Sequence, residues 1–83
     1  MKEIIKQGRL GYNNDNNRYG LLISDTWLDN GFHCGEPLEI LVENEWIETS
    51  MEMNIDGEWY LTGTPFAGDD LEYLQARIRS ECW

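Results

Sequence analysis

The most reactive side chains in this 83-residue sequence are its single histidine, His33, the adjacent Cys34, and a second cysteine, Cys82. A thiolate nucleophile needs a base within hydrogen-bond reach. Neighbours on an extended chain project to opposite sides, so His33 and Cys34 are poorly placed to form that pair. They read instead as structural residues, with Cys34 packed into the core as a small apolar group and His33 bonding locally. Zinc usually takes four ligands in paired short spacings. Cys34, Cys82 and His33 leave the set one short, and no CxxC occurs. Two cysteines in a cytosolic chain are expected as free thiols. Asp25 and Asp29, followed by Asn30-Gly31, lack the alternate ligands and closing glutamate of an EF-hand loop. There is no GxxxxGK[ST], GxGxxG or GxSxG. The expectation is a non-enzymatic protein with no cofactor and no dedicated metal.

Charge offers a different chemistry. Six Lys and Arg against 16 Asp and Glu give a net charge of −10. Bulk attraction to nucleic acid or an anionic membrane is thereby excluded. Between Tyr19 and Ala76 no basic residue occurs, and that stretch carries 13 of the 16 acids. Among them, Glu39 and Glu43, and Glu48 and Glu52, fall at outward positions of two neighbouring strands. Alternate residues of a strand repeat every ~6.8 Å, close to the phosphate spacing along one nucleic-acid strand. Such a row suits an acidic mimic that occupies the basic groove of a DNA- or RNA-handling protein. It equally suits a solvated face that keeps a small protein dispersed. A second surface feature is aromatic: Trp46 and Tyr60 point outward, with Leu41 beside Trp46 in register. Trp and Tyr at the centre of a contact carry binding energy efficiently, which makes these three candidate partner-binding residues. The competing expectation is that barrel curvature, or the segment from Asp25 to Pro37 with its Trp27, Leu28 and Phe32, covers them.

These residues need a sheet to hold them. Leu38, Ile40 and Val42 alternate with Glu39 and Glu43, the signature of a half-buried strand. The pattern resumes with Ile47, Thr49, Met51 and Met53 on one face and Trp46, Glu48, Ser50 and Glu52 on the other. A two-residue turn at Glu43-Asn44 pairs Ile40 with Ile47 and Glu39 with Glu48, so the apolar faces coincide. Asn54-Ile55-Asp56-Gly57 predicts a second hairpin, with Met53 against Trp59, Met51 against Leu61 and Glu52 against Tyr60. Earlier, the run Asn13-Asn14-Asp15-Asn16-Asn17 is a turn by composition, joining strands over 8–12 and 18–23. Ser24 to Pro37 reads as a long connecting loop. After Gly63-Thr64-Pro65, Asp69-Asp70 begins a single helical or 3-10 turn, and Gln75 to Arg79 alternates as a closing strand; a helix running through Arg79 is the rival. The order predicts a mainly all-β domain over residues 1–83, a small SH3-like or partly open β-barrel of five to six antiparallel strands.

The N-terminus lacks the apolar run of a secretory signal, and no window has the length of a membrane span. A cytoplasmic protein with no membrane partner is expected, as a monomer or a weak homodimer joined through an unpaired sheet edge. Gly8-Arg9-Leu10, Asn17-Arg18-Tyr19-Gly20, His33-Cys34-Gly35-Glu36 and the stretch Gly57 to Pro65 together resemble a small family of Gram-positive bacteria, defined as a domain of unknown function. Members often occur in mobile elements and phages. The resemblance spans most of residues 8–78. It implies a bacterial, mobile-element-linked cytoplasmic protein and brings no activity, cofactor or catalytic residue. The expected function is a non-enzymatic module that engages a protein partner, with the acidic nucleic-acid mimic as the alternative.

Overall fold

The computed structural model describes residues 2–82, with side chains over 5–79; Cys82, as a thiol, lies outside the described side chains. Strands form where alternation and turn chemistry agree. They are β1 (Lys2–Asn13), β2 (Arg18–Ile23), β3 (Thr26–Asp29), β4 (Pro37–Val42), β5 (Glu45–Met53), β6 (Trp59–Leu61) and β7 (Gln75–Cys82), with a 3-10 turn at Gly68–Leu71. All pairings are antiparallel, and the seven strands lie in the order β3-β2-β1-β7-β4-β5-β6, curled into a half-barrel.

The β4–β5 hairpin takes the two-residue turn. Glu43 and Asn44 have φ of 49° and 68°, the left-handed pair that a twisted hairpin requires. Ile40 pairs with Ile47, Leu41 with Trp46 and Glu39 with Glu48. Gly57 supplies φ of 81° in the next turn. The register there sets Met53 against Trp59, Met51 against Leu61 and Glu52 against Tyr60. Both hairpins follow the register that burial selects.

β1 is the spine. Its first part pairs with β7 from Lys2↔Cys82 to Arg9↔Gln75, and its last part with β2 from Arg9↔Leu22 to Asn13↔Arg18. Close approach of β1 to β2, and of β2 to β3, falls at two glycines. A Cβ on Gly8 would strike the Leu22 carbonyl, and one on Gly20 would meet the Asp29 carbonyl and sit 2.9 Å from Trp27 Cζ3. Glycine is what lets the backbones approach there.

Leu10, Leu21, Phe32, Ile40, Met51, Leu61, Leu71 and Ala76 are fully buried and fill the concave side. Tyr19 and Trp59 join them, each tied at its polar tip: the Tyr19 hydroxyl donates to the Gly68 carbonyl, and Trp59 Nε1 donates to the Asn17 carbonyl. At the ends of β5 the core thins. Ile47 and Met53 are on the inner face yet 36% and 41% exposed, because a half-barrel leaves its rim open.

Two features differ from the sequence expectation. There are seven strands rather than five to six, because residues 24–37 are not a plain loop. Ser24 and Asp25, with φ of 45° and 65°, turn the chain so that β3 pairs with β2. The strand β1 also starts at Lys2, well before residue 8. Beyond the 3-10 turn the chain is the expected closing strand and not the rival helix: Ala76 and Ile78 face inward from β7, and Arg77 and Arg79 outward.

Candidate functional site

The outer face of β4 and β5 carries the candidate residues, and β7 completes it. Leu41 stands opposite Trp46, and both are half-buried. Because β7 lies beside β4, Glu39 faces Arg77. The Arg77 guanidinium lies 4.1 Å from the centroid of the Trp46 ring. Its Nε donates to Glu39 Oε1, and Arg79 Nη1 stands 3.7 Å from Glu39 Oε2. The Glu39 and Arg77 side chains are only 13% and 19% exposed. A planar guanidinium can stack on an indole while giving its edge to a carboxylate, which an ammonium cannot do. Trp46 is therefore covered on one ring face and held in place by a clamped arginine.

The edge beside Trp46 is unfilled. β6 spans three residues and β5 spans nine, so β6 covers only the second half of its neighbour. Among the described residues, no strand pairs with Glu45–Glu48 on the side away from β4. Sequence reasoning expected an unpaired sheet edge without placing it here, although the turn signal Gly63-Thr64-Pro65, so soon after Trp59, already limits β6 to a few residues.

Not every candidate lies in this patch. Tyr60 is on the same outer face, opposite Glu52. Six residues of β5 separate Glu52 from Trp46, so roughly 20 Å of strand lies between the two aromatics. Of the aromatics in the segment from Asp25 to Pro37, Trp27 packs over the Gly11–Gly20 pair of the β1–β2 hairpin and Phe32 enters the core. Of the four candidate acids, Glu39 is neutralised by Arg77 and Arg79. Glu43 occupies the hairpin turn, Glu48 is exposed, and Glu52 is half-buried. The stretch of sequence without a base is thus supplied with two positive charges from β7, which breaks the run of acids at its centre.

Cys34 is exposed, contrary to the expectation of a core cysteine. The core position belongs to Phe32, whose amide donates to the Tyr19 carbonyl, and the chain then turns outward. His33 does bond locally: its amide donates to Glu36 Oε1, 3.0 Å away, and its Nδ1 lies 3.6 Å from the same oxygen. Asp29 Oδ1 accepts from the Gly31 amide and so serves the turn.

Among the described residues, the sheet is flanked by concavities that include these two. One, of about 600 Å³, runs along Arg9, Ile23, Asp25 and Tyr73. The other, of about 370 Å³, is lined by Tyr12, Tyr19 and Trp59 together with Glu58, Asp69 and Glu72. The Tyr12 and Tyr19 rings meet edge to face at 5.1 Å. Burial, followed by the nearby charges of Glu72 and Asp69, pushes the Tyr19 hydroxyl up to about 12.

A family model described as a domain of unknown function, DUF5348, matches residues 8–78. The structure is similar to a crystal structure of a protein from Ruminococcus gnavus, with a TM-score of 0.73 and 30% sequence identity over 88% of this chain and 100% of that one. None of the curated proteins matches the chain.

Proposed function

The chain belongs to the DUF5348 family, and we propose that it works as a non-enzymatic binding module that engages a protein partner in the cytoplasm. The observation that carries this reading is the Leu41–Trp46 pair, half-exposed on the convex face with the indole held by Arg77. An aromatic side chain fixed before contact loses little freedom on binding, so more of its burial appears as affinity. Tryptophan beside an aliphatic residue, ringed by charge, has the composition of an interface centre. Glu43 and Glu48 supply the polar rim. Tyr60 extends the same face, for a partner long enough to follow β5. The exposed thiol of Cys34 fits a reducing compartment, and no described helix is long and apolar enough to cross a membrane.

Capture of partners from host lysate at low and high salt tests this. A contact centred on Trp46 is weakened but not abolished by added salt, and loses about 2 kcal/mol, roughly thirtyfold in affinity, in Trp46→Ala. An acidic decoy is told apart by Trp46: its capture collapses with salt, and Trp46→Ala leaves it intact. That second pattern would replace the present reading with the nucleic-acid mimic.

A further inference from the structure

We infer that the partner presents a short, basic, extended segment that adds as a strand to the open edge of β5 at Glu45–Glu48, a conclusion that rests on the binding-module reading above.

The hydrogen-bond inventory of β5 defines the edge. Val42 and Glu45 flank the two-residue turn, so they exchange main-chain bonds with each other, and every second residue does the same towards β4. Met51 keeps this phase, donating to the Glu36 carbonyl at 3.0 Å and accepting from the Gly35 amide at 2.7 Å. The residues in between, Trp46, Glu48 and Ser50, aim their N–H and C=O to the other side. Ser50 is satisfied there: its carbonyl accepts from the Thr62 amide and its amide donates to Thr62 Oγ1, each at 3.1 Å. The chain then leaves at Gly63, whose φ is 70°. Trp46 and Glu48 are left with two donors and two acceptors facing outward and no described strand to meet them. Such a row is a template for an incoming strand.

The other edges are closed or blunted. Beyond β6, the Leu61 amide donates to the Phe66 carbonyl and Tyr60 bridges Ala67. β3 is four residues long, and a register shift at Leu21/Leu22 interrupts its ladder.

Charge selects the occupant. Glu43, Glu45 and Glu48 are all exposed around this edge. Two copies of β5 pairing with one another would bring these acids together, between molecules that each carry a net charge of −10. Like charges across a strand pair are destabilising. A strand bearing Lys or Arg meets the same acids as partners and places its alternate side chains beside Trp46.

The probe is a peptide of about seven alternating Lys and Val residues, roughly 24 Å when extended, with a Glu-Val peptide as its counterpart. The readout is residue-resolved amide exchange on the whole chain. The Lys-Val peptide is expected to slow exchange at Trp46 and Glu48 by about tenfold or more, leaving Thr26–Asp29 unchanged. The Glu-Val peptide should have no effect, and N-methylation of alternate Lys-Val amides should remove the protection. Glu48→Pro should also abolish it, since that N–H faces solvent and serves no ladder bond, whereas Glu48→Gln only weakens it. Protection elsewhere, equal response to both peptides, no protection, or peptide-independent protection that grows with protein concentration each overturn the inference; the last would identify a second copy. If Trp46→Ala loses the lysate partner while Glu48→Pro keeps it, the strand-addition inference fails and the binding module stands. If both variants keep it, the binding surface itself is wrong.

Discussion

Arg77 lies over Trp46 at 4.1 Å, although the two residues are on strands that are not neighbours: β4 runs between β5 and β7. The arginine reaches across Leu41's strand and is fixed on the way by Glu39. One contact thus ties three strands on the convex face and sets the pose of the aromatic residue offered to a partner. It also gives Glu39 a structural duty, which an acid presented to solvent would not have.

The Glu39–Arg77 pair is expected to couple in a double-mutant cycle. With both side chains mostly shielded, removing either partner should destabilise the fold by about 1–3 kcal/mol, with a coupling of about 1–2 kcal/mol. Arg79 keeps part of the charge on Glu39 compensated in Arg77→Met, so Arg77→Met should be the milder change in stability. The same variant should nonetheless weaken partner binding, because Trp46 loses its clamp. Denaturant unfolding alongside partner titration reads both effects.

Glu43 sits at φ of 49°, a conformation glycine adopts without strain. Glu43→Gly should therefore raise stability by about 0.5–1 kcal/mol, because release of left-handed strain exceeds the entropy that glycine adds to the unfolded chain. A higher urea midpoint at unchanged slope would register this.

Gly20→Ala and Gly8→Ala should be severe for a different reason. Each new methyl meets a main-chain carbonyl, of Asp29 and Leu22 respectively, that cannot move without breaking the β1–β2–β3 pairing. A loss of about 2–3 kcal/mol or more is expected in thermal or urea unfolding. At Gly57 a Cβ meets nothing within 4 Å, and only its φ of 81° opposes alanine, so Gly57→Ala should cost about 1 kcal/mol.

Tyr19 makes stability fall at high pH. Its folded pKa of about 12 lies above the unfolded 10.0, so the unfolded chain releases its proton first. The contribution is complete below pH 10 and is lost as pH climbs towards 12, by up to about 2 kcal/mol. Tyr19→Phe should flatten that decline while costing about 1 kcal/mol at neutral pH for the lost bond to Gly68. Urea unfolding across this pH range, with tyrosinate absorbance followed in parallel, measures it.

What the sequence showed and hid follows from how far each signal reaches. The hairpins around Glu43-Asn44 and Asn54 to Gly57 were legible because alternation and turn residues are local and agree with burial. β3 was hidden because its turn uses Ser24 and Asp25, neither of which announces a pair of positive φ values. The early start of β1 was hidden because Lys2 to Gln7 shows little alternation; its strand state comes from pairing with β7. Leu41 opposite Trp46 could be deduced from register, but the covering Arg77 could not. It arrives from 31 positions away, on a strand slotted between β1 and β4. Cys34 was misplaced because cysteine is usually buried, and nothing local says that Phe32 fills the core position instead.

The most direct test is a photocrosslinking residue placed at position 41 and, separately, at position 55. Ile55 is fully exposed at the tip of the β5–β6 turn, roughly 30 Å of strand from Trp46. A covalent adduct with a single cellular protein from position 41, absent from position 55 and lost in the Trp46→Ala background, is the predicted result. An adduct from position 55 with none from position 41 would contradict it.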